Sequence, residues 1–125
     1  MNTPIQIGLP KGRMREGVQR LMADAGCPIQ TTTRNYRASI DLEGFEAKIL
    51  KPQGIVEMLQ AGRRDIGFAG ADWVAELNVD LVELLDTGLD RVRIVAAAPE
   101  SLLEEGRLPD RPLIVASEYA RLTQN

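Results

Sequence analysis

Histidine is missing from this chain of 125 residues, and cysteine occurs once, as Cys27. The first absence excludes serine-type triads and imidazole-held zinc, so any chemistry must work without imidazole. The second excludes an intramolecular disulfide or a cysteine metal cluster, which fits a reducing cytoplasm. Long apolar runs are missing too. The longest strongly apolar stretch, Ile94 to Ala98, is far too short to cross a bilayer, and no charged-then-apolar leader is expected. Positive charge is in deficit: 15 Lys and Arg stand against 18 Asp and Glu, a net charge of -3. There is no global field to gather a nucleic acid. Nor is there an internal repeat, a low-complexity tract, a Walker or dinucleotide glycine motif, or a carboxylate pair of glycosidase character.

What is present describes an ordinary soluble domain, 44% hydrophobic and 26% charged. A chain of this length buries roughly two-thirds of its extended surface, enough for one adequate core. The basic residues gather locally, at 11–15, 34–37, 63–64 and 91–93. A local basic site in an acidic protein suits a small phosphorylated ligand better than a polymer.

The order of elements alternates. Ile5 to Leu9 reads as a strand, and Met14, Val18, Leu21, Met22 and Ala25 as the stripe of a following helix that Gly26-Cys27-Pro28 ends. Tyr36 to Ile40 and Phe45 to Leu50 read as strands. Pro52 suits the first turn of a helix carried by Ile55, Val56 and Leu59 to Gly62. Asp65 to Gly70 is expected as a strand and Asp72 to Leu77 as a short helix. Leu81–Leu85, Arg91–Ala97 and Leu113–Ala116 are expected as further strands, with an acidic helix at Glu100–Glu105 and a loop over Gly106–Pro112. Ser117 is a plausible cap for a short terminal helix. Strands separated by helices imply an α/β sandwich with a mostly parallel sheet.

In parallel sheets ligands collect at the carboxyl ends of strands, and here several ends carry polar groups. Lys11-Gly12-Arg13 joins a strand end to a helix start, where free N–H groups, a glycine and two cations make an anion site; a solvated basic turn is the plainer alternative. Gly70 and Asp72 follow the strand at 65–70. Asp72 suits a capping carboxylate, or an acceptor for a nucleobase amino group or a ribose hydroxyl. Trp73 suits a half-buried cover better than a base-stacking platform. Arg34 and Arg37 flank a strand and suit either a phosphate clamp or a solvated loop. Arg63 and Arg64 suit the dipole of the helix they follow, and Lys51 either reaches a site or solvates a turn.

Leu9-Pro10-Lys11-Gly12-Arg13, Tyr36-Arg37, Lys48 to Gln53 and Asp65 to Trp73 together resemble the N-terminal half of the ATP phosphoribosyltransferase family. Ala96 to Glu100 and Ala116 to Tyr119 with Leu122-Thr123 resemble that family's middle segment. The resemblance implies a two-lobed fold of the periplasmic-binding type (type II) with the active site in the cleft. Residues 1–90 would be the first lobe, lacking its returning C-terminal segment. Residues 91–125 would be the crossover and the opening of a truncated second lobe. The implied reaction is the first step of histidine biosynthesis: N1 of ATP displaces pyrophosphate from phosphoribosyl pyrophosphate, with Mg2+. Arg13, Arg37 and Lys11 would be catalytic, and Gly12, Lys51, Gly70 and Asp72 would bind substrate. The family's phosphate-cradling loop, rich in glycine and hydroxyl residues, has no match here, so the chain is expected to be a fragment inactive alone. A homo-oligomer is expected, since unpaired strand edges recruit partners, and the resemblance adds a synthetase-like regulatory subunit. The competing expectations are a non-catalytic small-molecule-binding lobe of the periplasmic-binding type and an inactive interaction module.

Overall fold

The computed structural model describes residues 3–31, 37–89 and 91–124. Five strands form one sheet in the order β2-β3-β4-β1-β5. They are β1 (Ile5–Pro10), β2 (Ile29–Thr31), β3 (Arg37–Ile40), β4 (Phe45–Leu50) and β5 (Ile66–Gly67). β1 pairs parallel with β4 over its whole length and with β5 at Ile7 and Gly8. The centre is therefore parallel, as the helix-separated strands imply. The other edge is antiparallel: β2 pairs with β3 and β3 with β4 in opposite directions, and a turn of four residues joins β3 to β4.

Helices cover both faces. A 3-10 turn at Gly12–Met14 leads into α1 (Arg15–Asp24), which lays buried Val18 on one face against Ile7, Leu9 and Ile49. Met22 and, from further along the chain, Leu89 close that side. α2 (Pro52–Gln60) carries its proline at the first turn, as expected, and packs on the opposite face beside α3 (Ala71–Leu77). α1 and α2 end alike. Gly26 and Gly62 take the left-handed conformation, φ +86° and +74°, and the next residue's N–H reaches back to Met22 and Met58.

The seat of α2 is unusually close. Gly8 and Gly67 are register partners on one face, and Ile55 lies fully buried against both. A Cβ at Gly67 would stand 2.5 Å from Ile55 Cγ2, and one at Gly8 3.3 Å from two of its carbons. Glycine is needed at these two strand positions because a side chain would displace the helix.

Past α3 the expected strands at Leu81–Leu85, Arg91–Ala97 and Leu113–Ala116 do not form. None of them joins the described sheet. β5 is the outer strand on that side and ladders over Ile66–Gly67 alone, so it offers the next strand almost nothing to extend. Val82 at 85% exposed and Ile114, fully exposed, record the result. The expected acidic helix at Glu100–Glu105 shrinks to a 3-10 turn, Glu100–Leu102. Glu105 and Gly106 then both take positive φ, 54° and 77°, inside a tight turn closed by two hydrogen bonds between Glu104 and Arg107. The terminal helix starts later than Ser117, as α4 (Ala120–Gln124). No helix among the described residues is long and apolar enough to cross a membrane.

Gly67→Ala is expected to destabilise the domain by about 1–3 kcal/mol through overpacking, and Ile55→Ala by about 2–5 kcal/mol through the cavity it leaves. Ile55→Leu removes the offending Cγ2, so the double variant with Gly67→Ala should lose less than the sum of the single losses. Urea unfolding midpoints in a double-mutant cycle check this.

Candidate functional site

The parallel register aligns the ends of the central strands. β1 and β4 finish level, Pro10 opposite Leu50, and the Lys11 N–H continues the ladder to the Leu50 carbonyl at 2.9 Å. Lys11, Gly12 and Arg13 follow β1 directly, and Lys51 follows β4. Gly70 and Asp72 follow β5, opening α3. β3 runs the other way, so its first residue, Arg37, comes to the same edge, opposite Lys48. Thus Lys11, Gly12, Arg13, Arg37, Lys51, Gly70 and Asp72 all belong to one end of the sheet. Arg34, singled out with Arg37, lies outside the described residues, as does Tyr36.

Local conformation suits an open approach at the first of these ends. Gly12 has φ +82°, which a residue with a Cβ rarely adopts, and no atom lies within 4 Å of where that Cβ would stand. Arg13 and Arg37 are exposed and Lys11 is half-buried. Lys51 sits at the N-cap of α2, exposed, its carbonyl accepting the helix's first bond from Ile55 at 2.9 Å. Arg37 and Lys48 form a cross-strand pair of like charges on one face. Such a pair is destabilising by itself and is relieved by an anion. Lys48 is a basic residue of this edge that composition and spacing did not single out.

Two hollows in the structure lie elsewhere. One of about 10 Å³ lies between β1 and α1, lined by Leu9, Pro10, Arg15, Val18 and Ile49, and another of about 300 Å³ lies along Pro28, Ser39 and Asp41. At the opposite end of the sheet the polar groups are structural. Arg64 donates to Gln6 Oε1 at 2.8 Å and does not turn back to the dipole of α2, while the Gln6 N–H donates to Asp65 Oδ2 at 2.7 Å.

Asp72 does not cap α3. The cap position is Gly70, and Asp72 stands in the first turn. Its charge still favours the helix start. Its Oδ2 accepts a hydrogen bond from the Tyr119 hydroxyl at 2.6 Å, and its other oxygen folds over residue 70, where any Cβ would overlap it. Gly70 is therefore the residue that makes room for the carboxylate. Trp73 is half-buried, its ring 4.7 Å from that of Tyr119 at 33°.

One turn further along α3, Glu76 is 6% exposed and receives the Arg121 and Leu122 N–H groups on its two oxygens, both at 2.7 Å. A carboxylate from α3 thus caps α4. Neither Glu76 nor Tyr119 was singled out from the sequence. A signal was available: Asp72 and Glu76 are four apart on one helix face, and like charges so placed need a partner.

The Asp72 hydrogen bond, with partial burial and the charges of Asp72, Glu118 and Glu76, pushes the Tyr119 phenol up from 10.0 to about 12. A raised acid favours the folded state while protonated. The stabilising contribution is complete below pH 10 and is lost as pH rises through 12. Phenolate absorbance should show one of the two tyrosines titrating near 12, and Asp72→Asn should bring it back towards 10. Glu76→Ala should release α4 at a cost of about 1.5–3 kcal/mol per lost charge-assisted bond, read as a shift in the emission of Trp73.

The class that fold and sequence define is an α/β protein with a parallel sheet centre, one end of which carries Lys11, Arg13, Arg37 and Lys51. The family is then specific. Residues 51–125 match the family model HisG: ATP phosphoribosyltransferase, and the chain belongs to that family. It is 35% identical over 105 residues to the ATP phosphoribosyltransferase of Chlorobium luteolum, covering 80% of this chain and 36% of that one. It is 30% identical over 92 residues to the enzyme of Geotalea uraniireducens, covering 74% and 32%. The chain spans about a third of the length of the curated relatives it matches. Among solved structures it is similar to the ATP phosphoribosyl transferase (HisG:HisZ) complex from Thermotoga maritima, with TM-score 0.53 and 22% identity over 65% of this chain and 39% of that one. That likeness concerns the fold.

Proposed function

We propose that this chain supplies one wall of an ATP phosphoribosyltransferase site, in which N1 of the ATP adenine attacks the ribose carbon of phosphoribosyl pyrophosphate and pyrophosphate departs. The observation that carries the reading is the gathering of Lys11, Gly12, Arg13, Arg37 and Lys51 at one sheet edge beside Asp72, in a chain of this family. In the reading residues 1–90 are the first of two lobes of the periplasmic-binding type, and residues 91–125 the crossover into the second.

The chemistry needs no imidazole. As the bond from the ribose carbon to the diphosphate oxygen breaks, its electron pair passes to the leaving group and charge grows there. Lys11, Arg13 and Arg37 would hold that charge, with the guanidinium groups forked across two oxygens. Lys51 and the exposed backbone at Gly12 would fix the phosphates. Asp72, accepting from the exocyclic amine of adenine, would push electron density into the ring and raise the nucleophilicity of N1. Gly70 leaves that carboxylate its room.

The resemblance implies magnesium. Among the described residues no three Asp, Glu, His or Cys side chains gather to hold a metal, and one oxygen of Asp72 is engaged by Tyr119. The described residues do not fit a protein cage for the ion, and no step is assigned to it. Magnesium ordinarily keeps few protein ligands and leans on substrate phosphates. A further copy of this chain or a regulatory subunit would complete the assembly, in a cytoplasm that keeps Cys27 reduced.

Titration of AMP and ATP into the chain tests the reading. Arg13→Ala should weaken affinity by about tenfold or more, the loss of a charge-assisted phosphate contact. Affinity indifferent to that change would favour a non-catalytic binding lobe. Pyrophosphate release from ATP and phosphoribosyl pyrophosphate by the isolated chain should be negligible, and turnover comparable to that of a longer relative would overturn the division of labour proposed here.

A further inference from the structure

The segment Ser117–Gln124 folds back onto α3, and the hydrogen bonds and ring contact described there fall on Asp72, Trp73 and Glu76. Glu76 grips the first turn of α4 through two backbone N–H groups. Ser117 Oγ accepts the Tyr119 N–H at 2.9 Å, and the Thr123 hydroxyl lies 2.7 Å from the same oxygen, so the turn that carries Tyr119 is braced from within. The result delivers one aromatic ring to one place. The Tyr119 hydroxyl donates to Asp72 Oδ2 at 2.6 Å, and the ring lies against Trp73 at 4.7 Å.

We propose that Tyr119 is an internal competitor for the base subsite, its ring and hydroxyl occupying on Trp73 and Asp72 the place of an aminopurine that presents a donor from its edge. The proposal rests on the reading of Asp72 as the base acceptor. A subsite for such a ligand needs an acceptor for the exocyclic amine and a flat neighbour for the ring. Consecutive residues of α3 supply both, and Tyr119 satisfies both at once. The second carboxylate oxygen offers little alternative, because it is folded over residue 70. The phenol also keeps its proton, raised to about 12, so it stays a donor through the neutral range. The stretch leading to the segment is largely exposed from Arg91 to Glu118, so few contacts oppose its release as a unit.

The consequence is a reduced apparent affinity: a nucleotide binds the fraction of molecules in which Tyr119 has left. Emission of Trp73, the single tryptophan, reports both occupants. AMP is titrated into wild type, Tyr119→Phe, Tyr119→Ala and Asp72→Asn, with circular dichroism on each. Tyr119→Ala is expected to bind AMP about tenfold more tightly, from removal of a charge-assisted hydrogen bond and a ring contact. Tyr119→Phe, which keeps the ring, should tighten binding less, and it decides the matter if the alanine variant does not fold. Asp72→Asn should abolish the gain. AMP binding that Asp72→Asn weakens but the tyrosine variants leave unchanged or weaken overturns the competitor and spares the nucleotide reading. Absence of AMP binding in both wild type and the tyrosine variants overturns the two together.

Discussion

One isoleucine resting on two glycines holds the site's frame. Gly8 and Gly67 sit side by side on β1 and β5, and Ile55 of α2 descends into the space their missing side chains leave. That approach clamps the short β5 to the centre of the sheet, although its own ladder spans Ile66–Gly67 alone. It also fixes where α2 starts, and so where Lys51 stands after β4. Because interiors are close-packed, a shift of the helix would be passed to the strand ends. The strand ends are where the cations are.

The two ends of the sheet differ in kind. At one end, Arg64 donates to Gln6 and the Gln6 N–H to Asp65, which ties β1 to the turn before β5 and leaves Arg64 Nε buried without a partner among the described residues. At the other, Lys11, Arg13, Arg37 and Lys51 converge with a left-handed glycine open to solvent. Arg37 and Lys48 face each other in register with like charge.

α3 joins the body of the fold to the terminal segment. Its first turn bears Asp72 and Trp73, its second Glu76, and one face thereby engages the terminal segment by hydrogen bonds, a ring contact and a helix cap. The carboxylates four residues apart would repel if unpartnered. Their partners come from residues 119–122, more than forty positions away in the chain. The stretch between forms no strand of the described sheet, and several of its large apolar side chains are exposed. After Leu77 the chain touches the core again at Leu89, and its last segment ties to α3 from Tyr119 on.

Local pattern by itself determined β1, β4, both long helices, the glycine stops and the parallel centre, because each rests on periodicity, proline and glycine within a few residues. It also put Lys11, Gly12, Arg13 and Asp72 at element ends, where chemistry gathers. Pairing was beyond it. The alternation in Leu81–Leu85, Arg91–Ala97 and Leu113–Ala116 marks segments able to become strands, but a strand exists only beside another, and whether one stands there is a property of the sheet. Arg37's arrival at the cationic edge follows from the antiparallel turn of β3. The roles of Gly67, Glu76 and Tyr119 follow from contacts across long separations. Only the tertiary structure decided these, since a side chain's partner across the fold leaves no mark in its own neighbourhood of the chain.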